Sequence, residues 1–327
     1  MRYTHTYRML LILLLIVVLL LLNLLLGSVS IPAQSIWNIL TGAGNEPVSW
    51  QNIVWKSRLP QALTALAAGA GLAVSGLQMQ TVFRNPLAGP SVLGISSGAS
   101  MGVAFVILLS GSLGGVALSR LGVMGEIALS VAAIIGSLSV MALIVYVSQK
   151  VKGNVTLLII GVMIGYVSNA VIGVLKFFSV EEDIRAYVIW GLGSFSRVSG
   201  NQMMLFVTLM AILLPLSFLL IKTLNLMLLG DGYARNLGLN IKRARLLVIV
   251  SAGVLTAIVT AYCGPIIFLG LAVPHLARAM FQTSDHRTLM PATLLLGAAL
   301  ALICNLLARM PGFEGALPVN SVTALVG

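Results

Sequence analysis

From Met9 to Leu26 the chain carries a single polar residue, Asn23, and no charge at all. A helix at the surface of a soluble protein needs a polar face, and this run has none. Crossing a bilayer core takes about 20 mostly apolar residues, which this run nearly supplies. Similar runs recur along all 327 residues, separated by short gaps. The chain is 59% hydrophobic and 8% charged, against about 25% charged in a soluble domain. Lipid is therefore the expected solvent. The fold class expected is all-α, a polytopic transmembrane helical bundle. The length leaves room for about eight to ten spans in a single membrane domain, residues 1–327.

Arg2 and Arg8 precede the first run. A signal peptide has a shorter apolar region and a small-residue cleavage site, and Gly27-Ser28-Val29-Ser30 offers no such site. A retained first helix is expected. Further spans are expected at Leu59–Val82, Val92–Leu109, Val123–Val147, Val155–Phe178, Met203–Ile221, Leu246–Ala261, Ile266–Met280 and Leu289–Leu307, with a tenth helix from Asn320.

The 19 basic and 8 acidic residues give a net charge of +11. With a cytoplasmic N-terminus, 12 bases and 2 acids fall inside, and 7 bases and 6 acids outside. That asymmetry supports the N-in orientation. The bases sit in short gaps rather than on one soluble face, so nucleic acid is not an expected partner.

Ala67-Ala68-Gly69-Ala70-Gly71 and the pair Gly161 and Gly165 offer small-residue faces for close helix packing, within the chain or across a dimer. The second and seventh spans both lead into Pro-Gly-rich interruptions, 85–90 and 264–274, a weak hint of an inverted repeat.

No enzyme chemistry is visible. GxxxxGK[ST] and HExxH are both absent from the sequence. Cys263 and Cys304 read as small buried hydrophobes. His275 reads as a helix-packing histidine, and His286 as a solvated one. No cofactor or metal site is expected. Ion-coupled carriers usually place a carboxylate or histidine near the bilayer midplane. Here every acid lies at a span edge or in a gap, so the driving energy is expected from a partner protein.

The cytoplasmic segment Lys222 to Arg245 is the candidate for that contact. Gly230-Asp231 can open a short helix with Asp231 as its cap. Ala234 and Leu237, three apart, are expected to share a face. Gly238 can end the helix in a left-handed conformation, and Asn240 can cap the next.

These motifs resemble one known family. Arg58-Leu59-Pro60, Gly76, Asn85-Pro86-Leu87-Ala88, Pro90 and Leu93-Gly94 carry the likeness in the first half. Leu229-Gly230-Asp231, Ala234 and Leu237-Gly238 follow, then Gly264-Pro265-Ile266, Gly270-Leu271 and Pro274-His275-Leu276-Ala277-Arg278. Asp285-His286-Arg287 and Leu317-Pro318 with Val322-Thr323-Ala324 complete it. In order and spacing they resemble the permeases of iron-siderophore, haem and vitamin B12 ABC importers, along essentially the whole chain.

The resemblance implies a ten-helix subunit, a homodimer in the bacterial inner membrane, two cytoplasmic ATPase subunits and a periplasmic substrate-binding protein. It implies ATPase docking through Gly230, Asp231, Ala234, Arg235, Leu237 and Gly238. Outward bases for the binding protein would be Arg58 and Arg309. Gln61 stands where the family often has another arginine, and Lys56 is the substitute. The cytoplasmic gate would use Asn85, Leu87 and Asn154. From Asn320 to Gly327, eight residues rise only about 12 Å, so the last span is expected to be cut short.

Overall fold

The computed structural model describes residues 2–112, 123–151, 153–198, 200–309 and 317–326, and every regular element among them is helical. α1 (Arg2–Leu25) is followed by two short helices, α2 (Ala33–Thr41) and α3 (Val48–Ile53). A π-turn, Val54–Arg58, leads directly into α4 (Leu59–Phe83). A 3-10 turn, Pro90–Leu93, precedes α5 (Ile95–Ser112). Then come α6 (Val123–Lys150), α7 (Asn154–Phe177), α8 (Glu181–Gly191) and α9 (Gly200–Phe218). The remainder is α10 (Ile221–Leu228), α11 (Asp231–Asn236), α12 (Ile241–Cys263), α13 (Leu269–Phe281), α14 (His286–Ala308) and α15 (Val319–Val326). Seven of the described helices are long and apolar enough to cross a membrane. α5 and α13 are shorter apolar helices, and α15 follows the expectation of a tenth near Asn320.

α4 is the axis of the bundle, buried along nearly its whole length and packed by α9, α12, α13 and α14. Its Ala-Gly composition explains how. Helices in lipid gain little from burying apolar area against each other, so close backbone approach must supply the attraction. Gly69 lies on the carbonyl of Gly297 in α14, and Gly76 on that of Gly270 in α13. Hydrogen bonds supplement the packing: Ser75 Oγ donates to the Ala252 carbonyl at 2.9 Å, and Gln78 Nε2 to Ser251 Oγ at 3.1 Å. Gly161 packs on Val92 and Leu93 of its own chain, so its small face is used internally.

Asn23 also has a packing role. Its Nδ2 donates to Leu302 O at 3.2 Å, and Asn305 Nδ2 donates to Asn23 Oδ1 at 2.8 Å. Both residues are buried, and together they tie α1 to α14. Asn23→Leu is expected to cost about 1–2 kcal/mol of stability. The double variant with Asn305→Leu should recover part of that, because no amide is then left unpaired. Thermal melts of the four proteins in detergent check this, and additive losses would contradict it.

The two Pro-Gly-rich interruptions meet at the bundle axis, with Pro90 packed on Gly270. Gly264, at φ 77°, ends α12. The non-helical stretch after it would strand polar backbone groups at membrane depth, which is tolerated only when other groups bond them. Asn320 does so: Nδ2 donates to Pro265 O at 2.6 Å and Oδ1 accepts from Ile267 N at 3.3 Å.

Some expected boundaries shift. The sixth span, expected to reach Ile221, ends with α9 at Phe218, and α10 is a separate helix. Pro215 inside α9 supplies no N–H to the preceding turn, which weakens the helix there. The eighth span, expected from Ile266, begins at Leu269, after the break. His275, expected to pack between helices, is exposed on α13. Cys263 and Cys304 are buried and free.

Candidate functional site

The expected docking segment forms a small knob. Gly230, at φ 95°, reverses the chain and α11 follows. Gly238, at φ 84°, closes it. Its N–H donates to Arg235 O and that of Leu239 to Ala234 O, both at 2.9 Å. This is the two-bond Schellman ending, which needs the left-handed residue that glycine adopts freely. Asn240 then caps α12, its Oδ1 accepting from Arg243 N at 3.1 Å.

Two expectations about this knob are corrected. Asp231 is not the cap: its side chain makes no capping bond and turns to Arg84, at the end of α4, and to Arg245 of α12, the latter at 3.7 Å. Ala234 and Leu237 do not share a face. Ala234 is fully buried beneath α11, whereas Leu237 lies past the last helical residue and is 61% exposed. The helix ends before a second turn can stack one over the other. Arg235 is exposed on the same knob.

The Asp231–Arg84 pair joins the knob to the candidate gate. Arg84 holds a left-handed conformation, φ 48°, at the C-terminus of α4. Asn85 follows, and its Oδ1 accepts from Leu87 N at 2.9 Å. Asn85 therefore shapes a turn rather than capping a helix at Pro86, because no helix begins there. Leu87 is 64% exposed at the tip of this turn. Asn154 opens α7, and its side chain lies outside the described residues.

His286 is corrected from a solvated residue to a fully buried one. Its Nδ1 donates to Asn225 Oδ1 at 2.8 Å, and Nε2 is hydrogen-bonded to Thr81 Oγ1 at 2.9 Å. Asn225 Nδ2 reaches Asp285 Oδ1 at 2.6 Å. Asp285 caps α14 through Arg287 N at 3.0 Å. That backbone bond, with the Asn225 amide and the Arg287 charge, outweighs burial and holds the Asp285 carboxyl below its ordinary range. This network locks α4, α10 and α14 together beside the gate turn. Sequence reasoning misses Asn225; a polar residue amid Leu224, Leu226 and Met227 is the available signal.

At the opposite end, Lys56 is exposed as expected. Arg58 is not, and the expectation that it points outward is corrected. It is 1% exposed. Its Nη1 donates to Leu24 O at 2.6 Å and Leu25 O at 3.0 Å, and Nη2 donates to Val29 O. The last carbonyls of α1 lack helical partners, and the guanidinium satisfies them. The half-buried Arg309 guanidinium lies against the same Gly27 backbone. Burial, and then the Arg58 charge, lower Arg309 to about 10, so it stays charged at neutral pH. Among the described residues neither arginine has a carboxylate within ion-pair distance.

Apolar spans, a helix broken at the bundle axis and a glycine-bounded knob together define a membrane permease. Residues 14–327 match the model of the FecCD transport family, and the chain belongs to that family. It is 36% identical to the hemin transport system permease HmuU of Yersinia pestis over 303 residues, covering 92% of this chain and 87% of that protein. It is also 36% identical to the vitamin B12 import permease BtuC of Klebsiella pneumoniae over 278 residues, covering 85% of this chain and 80% of that protein. Among solved structures it is similar to a chain from a proposed metal-chelate type ABC transporter in an inward-facing conformation. The TM-score is 0.84 and the identity 29%, covering 98% of this chain and 96% of that one.

Proposed function

We propose that this chain is the membrane-spanning subunit of a bacterial ABC importer for an iron complex, a siderophore chelate or haem, with cobalamin as the alternative cargo. Two copies form the translocation path, and two ATPase subunits drive it from the cytoplasm. A periplasmic protein delivers the cargo, and the permease performs no covalent chemistry itself. The N-terminus is cytoplasmic in this reading, which puts the α11 knob on the ATPase side and Lys56 and Arg309 on the delivery side.

The observation that carries the reading is the ionic tie from Asp231 on the knob to Arg84 at the gate turn. The pair sets the knob beside the residue preceding Asn85, where a partner on the knob would be next to the gate turn. The relatives, permeases for hemin and vitamin B12 and a metal-chelate type transporter, support the same assignment.

The test is reconstitution in liposomes with a cognate ATPase and binding protein. Uptake of ferric chelates, haem and cobalamin is measured with and without ATP. Uptake that needs ATP and a functional ATPase is expected. Uptake that persists without the ATPase and collapses with the proton gradient would establish an ion-coupled carrier instead.

The delivery face makes a second prediction. Two guanidiniums with no carboxylate in ion-pair distance among the described residues raise the potential there, and an acidic partner surface would be drawn to it. Lys56→Glu with Arg309→Glu is expected to weaken binding-protein affinity by about tenfold or more at low salt. Arg58 is left in place because α1 depends on it. Equal affinity in a titration of the double variant would remove these residues from the docking surface.

A further inference from the structure

At the knob end of the bundle, a cavity of about 200 Å³ lies between the end of α4, the gate turn, α13 and the start of α14. Every residue lining it is among those described. Two guanidiniums border it, Arg84 from the end of α4 and Arg278 from α13. Asn85 and Ser284 add an amide and a hydroxyl, and no carboxylate belongs to the lining. All four groups keep accessible surface: Arg84 and Ser284 are exposed, Asn85 and Arg278 half-buried.

Arg278 is the unusual member. Arg245 is buried too, but it has Asp231 at 3.7 Å, and Arg84 pairs with the same carboxylate. Arg278 has no carboxylate within ion-pair distance among the described residues, and its guanidinium bonds there only to Gln80 Oε1. A guanidinium carries five N–H donors, and a partly desolvated charge is costly unless it is paired. Arg84 spends Nη2 on Asp231 and the Met227 carbonyl, which leaves Nη1 and Nε without a described partner. Asn85 accepts from Leu87 N through Oδ1, so its amide nitrogen remains to donate. His286 adds no further donor, since both ring nitrogens are bonded, to Asn225 and Thr81. Asp285 follows Ser284, but its carboxylate accepts from Asn225 and Arg287 N and lines no part of the cavity.

The cavity therefore offers donors from two walls and charge of one sign. Small-molecule pockets usually run about 300–1,000 Å³, so the occupant here is a small group. A metal cation would be repelled. A carboxylate is satisfied by one guanidinium fork and leaves the second wall unserved. A tetrahedral phosphate has oxygens for both.

We propose that this cavity binds a phosphate group, held by Arg278 on one side and Arg84 on the other, with Asn85 and Ser284 donating between them. Arg84 and Asn85 belong to the gate turn and Arg278 to α13, so the bound group fastens the turn to that helix. Free inorganic phosphate and the headgroup of an anionic lipid present the same chemistry.

The inference concerns the permease by itself, so it is tested without ATPase or cargo. The full chain in a neutral detergent is titrated calorimetrically with sodium phosphate, against sodium chloride at equal ionic strength. Retention of phosphatidylglycerol and phosphatidylcholine is compared by native mass spectrometry. Saturable binding of inorganic phosphate, with a rise in melting temperature, assigns the site to the free solute. Preference for phosphatidylglycerol by about tenfold, with no binding of inorganic phosphate, assigns it to the lipid. In either case Arg278→Gln should weaken binding by about tenfold or more, the worth of one charged hydrogen bond. Lys242→Gln, outside the cavity, should leave it unchanged. Should Arg278→Gln fail to fold, Arg278→Lys, which keeps the charge and loses the fork, should weaken binding severalfold. A wild-type chain that binds neither probe, or an Arg278→Gln chain with unaltered affinity, would overturn the proposal. So would loss of ATPase co-purification in Arg278→Gln when the parent binds neither probe, since Arg278 would then serve an acidic side chain of the ATPase.

Discussion

Leu237→Asp is expected to strip the ATPase subunits from the purified permease while leaving its melting temperature within a degree or two. The two halves of this expectation have separate causes. Leu237 is 61% exposed, and substitutions at exposed sites away from special features usually change stability by less than about 0.5 kcal/mol. The knob's shape does not depend on it either. Gly230 and Gly238 set the chain reversals, and buried Ala234 anchors the helix. Binding is different. An apolar side chain offered by a glycine-bounded corner suits an apolar groove, and a carboxylate carried into that groove has to be desolvated without a partner. That cost is several kcal/mol, enough to reduce affinity by about 100-fold or more. Leu237→Met should retain binding, since it keeps volume and polarity. Co-purification of the ATPase with the tagged permease, alongside a thermal melt of each variant, measures both halves. A Leu237→Asp protein that still carries its ATPase in full amount would sink the docking assignment.

The same knob shows how far the sequence can be read. Gly238 as a left-handed stop and Asn240 as a cap are local events, decided within four residues, and both hold. The Ala234–Leu237 face depends on the helix continuing, and a six-residue helix does not. Asp231 looks like a cap because the local pattern allows it. Its actual partner, Arg84, lies 147 residues away, and the packing of α10 against α4, with α11 following α10, brings them together. His286 misleads for the same reason. Charged neighbours on both sides suggest water, whereas Thr81 and Asn225 enclose it from two other helices. Arg58 belongs to this class too, since its acceptors are carbonyls, which carry no sequence signature. The spans themselves are legible because hydrophobicity needs no partner to be recognised. What stays hidden in the sequence is every pairing made across the bundle.

The second large effect concerns the axis of the bundle. Gly76→Leu is expected to abolish accumulation of folded permease, and Gly76→Ala to lower its stability substantially. A Cβ at position 76 would fall inside the van der Waals envelope of the Gly270 carbonyl oxygen, carbon and Cα. These are backbone atoms of a neighbouring helix, so no rotamer change can make room. α13 would have to move bodily, and Gly270 is itself pressed against Pro90 and the Leu72 carbonyl. Relief at one contact therefore opens another. Overpacking of a tight core by a methyl costs about 1–3 kcal/mol, and a leucine here needs far more space than the site can yield. Gly173 in α7 supplies the contrast, because a Cβ there meets nothing within 4 Å in this chain. Gly173→Ala should be neutral or stabilising by up to about 1 kcal/mol, the ordinary gain of alanine over glycine in a helix. Fluorescence-detected size exclusion of the three variants after detergent extraction reports folded yield, and thermal melts rank the survivors. A Gly76→Leu protein that elutes and melts like the parent would show that close approach of α4 and α13 is not what holds the bundle together.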